Sequence, residues 1–286
     1  MELTVRVRSA ARRVVRSGYT VLGEATADAR MRPGFIIAGA QRCGTTSLFR
    51  MLAAHPDVRP PAYTKGIHYF DTAERYRRGP RFYGAHFPLA PRGRDHHHLV
   101  TGEASPYYVF HPLAAERIAR EVPDARVIVL LRDPVERAFS AHKQETWRGF
   151  ETLSFEEALA AEPDRLAGEV ERMVADPAYQ SFAHQHYAYV GRGRYAAQLT
   201  RMFDAVGRDQ VLVLDADDFF ADPQQYWSEV LAHVGLRDVP LEAAPKANAR
   251  PSSPMPATAR ARLEEAFADS DEELTRILGR VPSWRR

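Results

Sequence analysis

Two short runs in this chain of 286 residues have the residue types and spacing of anion chemistry. The first is Gly39-Ala40-Gln41-Arg42-Cys43-Gly44-Thr45-Thr46, followed by Ser47. Its two glycines let the backbone curl, so that successive N–H groups, that of Cys43 among them, converge on one anion. Arg42 adds a planar fork of donors suited to phosphate or sulfate oxygens, and Thr45, Thr46 and Ser47 add hydroxyls. The glycine spacing is that of a nucleotide phosphate loop, yet Thr45 stands where that motif needs lysine. That substitution argues against an ATPase or kinase. In the second run, Leu131-Arg132-Asp133-Pro134 leads to Ser140, which lies eight residues after Arg132. Arg132 and Ser140 could together hold one more phosphate, with an ion pair from Arg132 to Asp133 or Glu136 as the competing use. Two separate phosphate-binding features imply a nucleotide phosphorylated at two places rather than a polyphosphate chain.

These runs must be positioned by the elements around them. Phe35-Ile36-Ile37-Ala38 reads as a buried strand feeding the first loop, and 46–54 as the helix after it. Residues 126–131 read as a second strand, followed by a helix that carries Arg137 and Ser140. A third strand is expected at 211–214, with helices at 194–206 and 224–234 and a final pair at 258–268 and 270–279. Ser154 and Glu157 have the spacing of a capping box at the start of another helix. Buried strands alternating with helices predict an α/β fold. It is a P-loop-like three-layer domain whose central, mostly parallel sheet is flanked by helices, with ligands at the carboxyl ends of the strands. The domain is expected over 33–286, preceded by a basic arm at 1–32.

Composition narrows the function classes. Thirty-nine basic residues against 37 acidic ones leave a net charge of +2, which argues against a nucleic-acid-binding surface. Only three of the basic residues are lysine: Lys65, Lys143 and Lys246. A single cysteine, Cys43, excludes an internal disulfide framework and a cysteine-cluster metal site, and fits a reducing, cytoplasmic compartment. No apolar run is long enough to span a membrane. The arm carries seven arginines interleaved with Val5, Ala10, Val14 and Val15. It could touch a membrane surface peripherally or pack on the domain. His96-His97-His98 lacks the spacing and acidic partners of a metal site.

Taken together, the phosphate loop and the Arg132/Ser140 pair resemble the sulfotransferases that use 3′-phosphoadenosine 5′-phosphosulfate (PAPS). The likeness is to the carbohydrate and heparan sulfate branch and its bacterial homologues. The resemblance covers roughly 33–284 and implies transfer of a sulfuryl group to a hydroxyl of a small metabolite, glycan or glycolipid, leaving PAP. It implies that Arg42, Cys43, Gly44, Thr45, Thr46 and Ser47 bind the 5′-phosphosulfate, and that Arg132 and Ser140 bind the 3′-phosphate. Gly193-Arg194-Tyr195 resembles the family segment after the variable helices, so Tyr195 joins the cofactor-binding candidates. Residues 246–250 resemble the segment that covers the cofactor late in the chain, adding Lys246 and Arg250.

On the acceptor side, Thr64-Lys65-Gly66-Ile67-His68-Tyr69-Phe70-Asp71 resembles the family's Lys-Glu-x-His-Phe-Phe-Asp segment, with Gly66 in place of the glutamate that deprotonates the acceptor. Glu103 matches the acidic residue of the next substrate-side segment. Arg42 and Lys65 are therefore assigned to the anionic groups. The base falls to His68 or Glu103, with His68 preferred because imidazole titrates near neutrality and a carboxylate must be buried to do so. Tyr107, Tyr108, Phe82, Tyr83 and Trp147 are candidate walls for a ring-bearing acceptor. No metal is expected, because arginine and lysine can neutralise a leaving group of one phosphate. The alternatives are a nucleotide-dependent phosphotransferase and an inactive protein that binds PAP or another anion.

Overall fold

The computed structural model describes residues 21–62, 65–92, 98–241 and 254–286. Four strands form one sheet: β1 (Phe35–Gly39), β2 (Gly102–Ala104), β3 (Arg126–Leu131) and β4 (Val211–Asp215). Their order is β2-β1-β3-β4 and every pairing is parallel. Among the described residues seven helices reach eight residues. These are α1 (Thr45–Ala54), α2 (Ala114–Glu121), α3 (Pro134–Trp147), α4 (Phe155–Leu166), α5 (Tyr195–Val206), α6 (Pro223–His233) and α7 (Ala257–Leu278). All five residues of β1 are buried, as are five of the six in β3. A parallel strand buried on alternating sides is covered on both faces, so helices enclose the sheet.

The parallel registers, Phe35 opposite Arg126 and Val127 opposite Val211, bring the strands' carboxyl ends to one edge. The turns after β1 and β3 therefore open side by side, where ligands of open α/β sheets bind. Beneath them Phe35, Ile37, Val127, Val129, Leu214, Phe219 and Trp227 fill the main core. A second cluster, with Val135, Phe139, Phe155, Tyr189, Leu263 and Phe267, fastens α3 to α4 and α7. Pro134 and the Asp133 carboxylate, which accepts from the Val135 N–H at 2.9 Å, start α3. The capping box of Ser154 and Glu157 is present at α4.

Two expectations change. The final pair of helices is one continuous helix, α7, because no glycine or proline interrupts it and Asp271 is buried mid-helix. Its carboxylate accepts from Trp284 Nε1 at 3.0 Å and Arg285 Nε at 2.7 Å, so it has no need to cap a second helix. β2, only three residues long, carries too little apolar pattern to be read as a strand. Of the basic arm, the described part is tied to the domain: the Met31 N–H donates to the Pro88 carbonyl at 2.9 Å, and Arg81 pairs with Asp28 at 2.6 Å. Residues 1–20 lie outside the described residues. No described helix is long and apolar enough to cross a membrane.

Candidate active site

The turn after β1 takes Arg42 into left-handed backbone (φ 72°) and ends at Gly44 (φ 83°), the N-cap of α1. A Cβ on Gly44 would come within 2.2 Å of the Phe220 ring, so both angle and space demand glycine. Gly44 offers no side-chain cap to the first turn of α1, an arrangement suited to taking an anion at a helix N-terminus. Thr46 is exposed and Ser47 half-buried, whereas Thr45 and Cys43 are buried. Burial pushes the Cys43 thiol up to about 11, with Arg137 opposing, so its part toward a ligand is confined to its backbone.

The two candidate anion-binding runs meet. Arg42 Nε donates to Ser140 Oγ at 2.9 Å across 98 positions of sequence. Arg132 approaches Asp217 at 3.9 Å. It pairs with neither Asp133 nor Glu136: Asp133 caps α3, and Glu136 is held by Arg260. Tyr195 is buried, its hydroxyl donating to the Arg132 carbonyl at 2.9 Å and lying 3.9 Å from Cys43 Sγ. It braces the two turns against each other. Lys246 and Arg250 lie outside the described residues.

The segment 65–71 is laid against β2, the strand that neighbours β1. The Ala104 N–H donates to the Lys65 carbonyl at 2.7 Å, and the His68 N–H to Ser105 Oγ at 2.9 Å. Burial, helped by Arg50 and opposed by Glu103, brings the Lys65 ammonium down to about 8. His68 has left-handed backbone (φ 52°) and its Nδ1 meets Asp71 Oδ2 at 2.8 Å. Burial presses the His68 imidazole toward neutrality. The charge and hydrogen bond of Asp71 outweigh it and hold the pKa above its ordinary value. A Cβ on Gly66 would lie 3.3 Å from His68 Nε2, so this nitrogen points at the place from which a side chain at 66 would extend.

Glu103 is in a different situation. It is fully buried on β2, and its two oxygens accept from Ile67 N–H (3.0 Å), Ser105 Oγ (2.6 Å), Tyr83 OH (2.9 Å) and Tyr108 OH (2.8 Å). Burial raises its pKa against these four donors. Of the candidate aromatic walls, Phe82, Tyr83, Tyr107 and Tyr108 are core, and Trp147 alone is exposed, at 71%. Among the described residues no group of three or more His, Cys, Asp or Glu could hold a metal ion. His96 and His97 lie outside them.

Sequence reasoning missed a buried brace. Arg192 is 5% exposed; its guanidinium donates to Gln41 Oε1 at 2.6 Å and to the His184 carbonyl at 3.2 Å, and lies 4.6 Å over the Tyr107 ring. Burial lowers it to about 10. It thus ties the turn after β1 to Tyr107 and the 182–186 segment, with Gln41 and Arg192 151 positions apart, a pairing that no local motif announces.

Comparison with known proteins matches this architecture. Residues 32–244 match the sulfotransferase domain family, so the chain belongs to the sulfotransferases. Among solved structures, a sulfotransferase from Alicyclobacillus acidocaldarius is 32% identical with a TM-score of 0.68, covering 90% of this chain and all of that one. Human heparan sulfate glucosamine 3-O-sulfotransferase 6 is 29% identical over 286 residues, 95% of this chain and 79% of that protein. A bifunctional heparan sulfate N-deacetylase/N-sulfotransferase 1 of Caenorhabditis elegans is 25% identical over 214 residues, 73% of this chain. The chain spans only 23% of that relative's length.

Proposed function

We infer that the chain transfers the sulfuryl group of PAPS to a hydroxyl of a small metabolite, glycan or glycolipid. The observation that carries this reading is the Arg42–Ser140 contact, which joins an anion-binding helix N-terminus to a second anion-binding turn on the neighbouring strand. A donor phosphorylated at its 5′ and 3′ positions fits that pair of turns, with Arg42, Gly44, Thr46 and Ser47 on the phosphosulfate and Arg132 and Ser140 on the 3′-phosphate. PAPS supplies the activated sulfuryl group. Arg42 and the N-terminus of α1 stabilise negative charge on the departing phosphate oxygen, and Lys65 adds a cation from the opposite wall.

His68 is the base in this reading. Asp71 fixes the proton on Nδ1, so Nε2 carries the lone pair that takes the acceptor's proton as its oxygen bonds to sulfur and the sulfur–bridging-oxygen bond breaks. The family resemblance places a glutamate at position 66, where this chain has Gly66. Nε2 faces that place, so the imidazole stands in for the missing carboxylate. Glu103 has a positioning role, because its oxygens are occupied by groups that shape the cleft wall. The single buried cysteine suits a reducing compartment such as the cytoplasm.

Calorimetry with PAP and with magnesium ATP, followed by labelled PAPS transfer onto an extract of the source cells, tests the reading. PAP binding and a product 80 Da heavier than its precursor are expected. ATP binding without PAP binding would replace it with a phosphotransferase, and PAP binding without any labelled product with an inactive binding protein.

A further inference from the structure

Arg42 and His68, to which the proposed reaction assigns the leaving group and the acceptor's proton, share a backbone state. Among the described residues they are the two that are not glycine and have positive φ, 72° and 52°. Such a conformation persists only where neighbouring contacts hold it. His68 is held by the turn after β2. Its N–H donates to Ser105 Oγ at 2.9 Å, and the Tyr69 N–H donates to Tyr108 OH at 2.9 Å. Its ring stands edge-on to Tyr108, with centroids 6.5 Å apart. Arg42 is held on one side by Ser140, at 2.9 Å. On its other side is Gln41, whose side chain runs to Arg192.

Arg192 reaches both turns. Its Nη1 donates to Gln41 Oε1 at 2.6 Å, and its guanidinium carbon lies 4.6 Å from the centre of the Tyr107 ring, in the same turn as Ser105 and Tyr108. Its Nη2 donates to the carbonyls of His184, at 3.2 Å, and Gln185. Tyr107 is fixed in turn, its hydroxyl 2.6 Å from His184 Nδ1. Burial, helped by the charge of Arg192, brings His184 down to about 3, so its ring is neutral and accepts from that hydroxyl. The Arg192 carbonyl accepts from Gln198 Nε2 at 3.1 Å, on the helix α5 whose Tyr195 holds the Arg132 carbonyl. Among the described residues no carboxylate pairs with Arg192, although it is only 5% exposed. Its acceptors satisfy the donors without offsetting the charge, which makes arginine a costly choice for packing alone.

We propose that Arg192 is a positioning residue for sulfuryl transfer: it locks the turn that carries Arg42 to the turn that holds His68, and so sets the spacing between them. This role rests on the reading of Arg42 as the leaving-group cation and His68 as the base. In-line transfer is sensitive to that spacing, since a displacement of about 1 Å can cost on the order of a hundredfold in rate.

The test uses Gln41→Met, which removes only the arm to the first turn, and Arg192→Lys, which keeps the charge but loses the fork spanning Gln41 and the 184–185 carbonyls. Calorimetry with PAP counts binding sites and measures affinity, and labelled PAPS with an extract of the source cells gives turnover per PAP-binding site. Each substitution is expected to lower turnover per site about tenfold or more while changing PAP affinity less than about threefold. The double variant should fall no further than the worse single one, because both break one connection. A purely structural role would lower the melting temperature and the number of PAP-binding sites but leave turnover per site at the parent's level. That result, an equal fall in PAP affinity and turnover, or fully additive effects would overturn the proposal. A parent chain that binds PAP and labels no acceptor would reject the transfer reading and this role with it, whereas parental turnover in both variants would reject the role of Arg192 alone.

Discussion

On the proposed function the donor and acceptor walls are built by different means. The donor wall is local: a strand, a turn and a helix N-terminus, used once after β1 and again after β3, with the ligand groups supplied by the turns themselves. The acceptor wall is a mosaic. Segment 65–71 is held by β2, Glu103 collects hydroxyls from Tyr83 and Tyr108, and Gln180 reaches back to Asp71 from more than a hundred residues away. Backbone N–H groups and arginine forks bind the same anions in any chain that makes the turn. The acceptor side, by contrast, must be assembled from side chains whose neighbours are set by tertiary packing. A common donor with varied acceptors is what such a division of labour permits.

The sharpest way to break the contrast is His68→Ala. Loss of a general base usually costs ~10²–10⁴ in turnover, so kcat should fall by that much while PAP affinity, a property of the other wall, stays within a factor of two or so. A loss of only a few-fold would return the base to another group. Next in size is the donor wall itself. Arg132→Met and Ser140→Ala should weaken PAP binding by about a hundredfold and tenfold respectively, reflecting charged and neutral hydrogen bonds. Calorimetry would show whether both also weaken adenosine 5′-phosphosulfate, which lacks the 3′-phosphate. If they do, the assignment of this turn to the 3′-phosphate is wrong.

Glu103→Gln sharpens the contrast from the acceptor side. It keeps the shape but replaces a pure acceptor by an amide that must turn two donors toward groups already donating. The mismatch should cost about 1–3 kcal/mol of stability, seen as a lower melting temperature, with kcat falling less than in His68→Ala. A full loss of turnover in a protein of unchanged stability would instead make Glu103 a catalytic group.

What the sequence disclosed follows the same division. The first loop, Arg132 and Ser140 are legible because each lies within one strand-turn-helix unit whose pattern spans about twenty residues. The strands β1, β3 and β4 announced themselves as apolar runs, but β2 could not. Gly-Glu-Ala becomes a strand only because β1 lies beside it, and Glu103 is tolerable there only because four donors converge on it from 67, 83, 105 and 108. The Gln41–Arg192 brace and the exposure of Trp147 were illegible for the same reason. Nothing in a window around Trp147 distinguishes a ring that ends on the surface from Tyr107 or Tyr108, which end in the core.

The smallest expected effect is a displacement along the pH axis, and it separates the roles of Asp71 and Lys65. His68 must be neutral to accept a proton, and Asp71 holds its pKa above the ordinary value, so activity should rise with pH through a midpoint above about 6.5. Lys65 must be charged to serve the anion, and burial brings it down to about 8, so activity should fall again above that pH. Asp71→Asn removes the charge that favours imidazolium while leaving the burial that opposes it, which moves the rising limb to lower pH and leaves the falling limb in place. Lys65→Arg should do the converse, extending the alkaline limb upward with the acid limb fixed. The pairing of His68 with Asp71 stabilises the fold with the opposite sense. That contribution is fully present below the unfolded imidazole's pKa and fades as pH rises through the raised one. The parent chain should therefore gain activity over the same interval in which this share of its stability declines, and Asp71→Asn should flatten that stability change. An acid limb that stays put in Asp71→Asn would show that His68 is not the group whose deprotonation turns the reaction on.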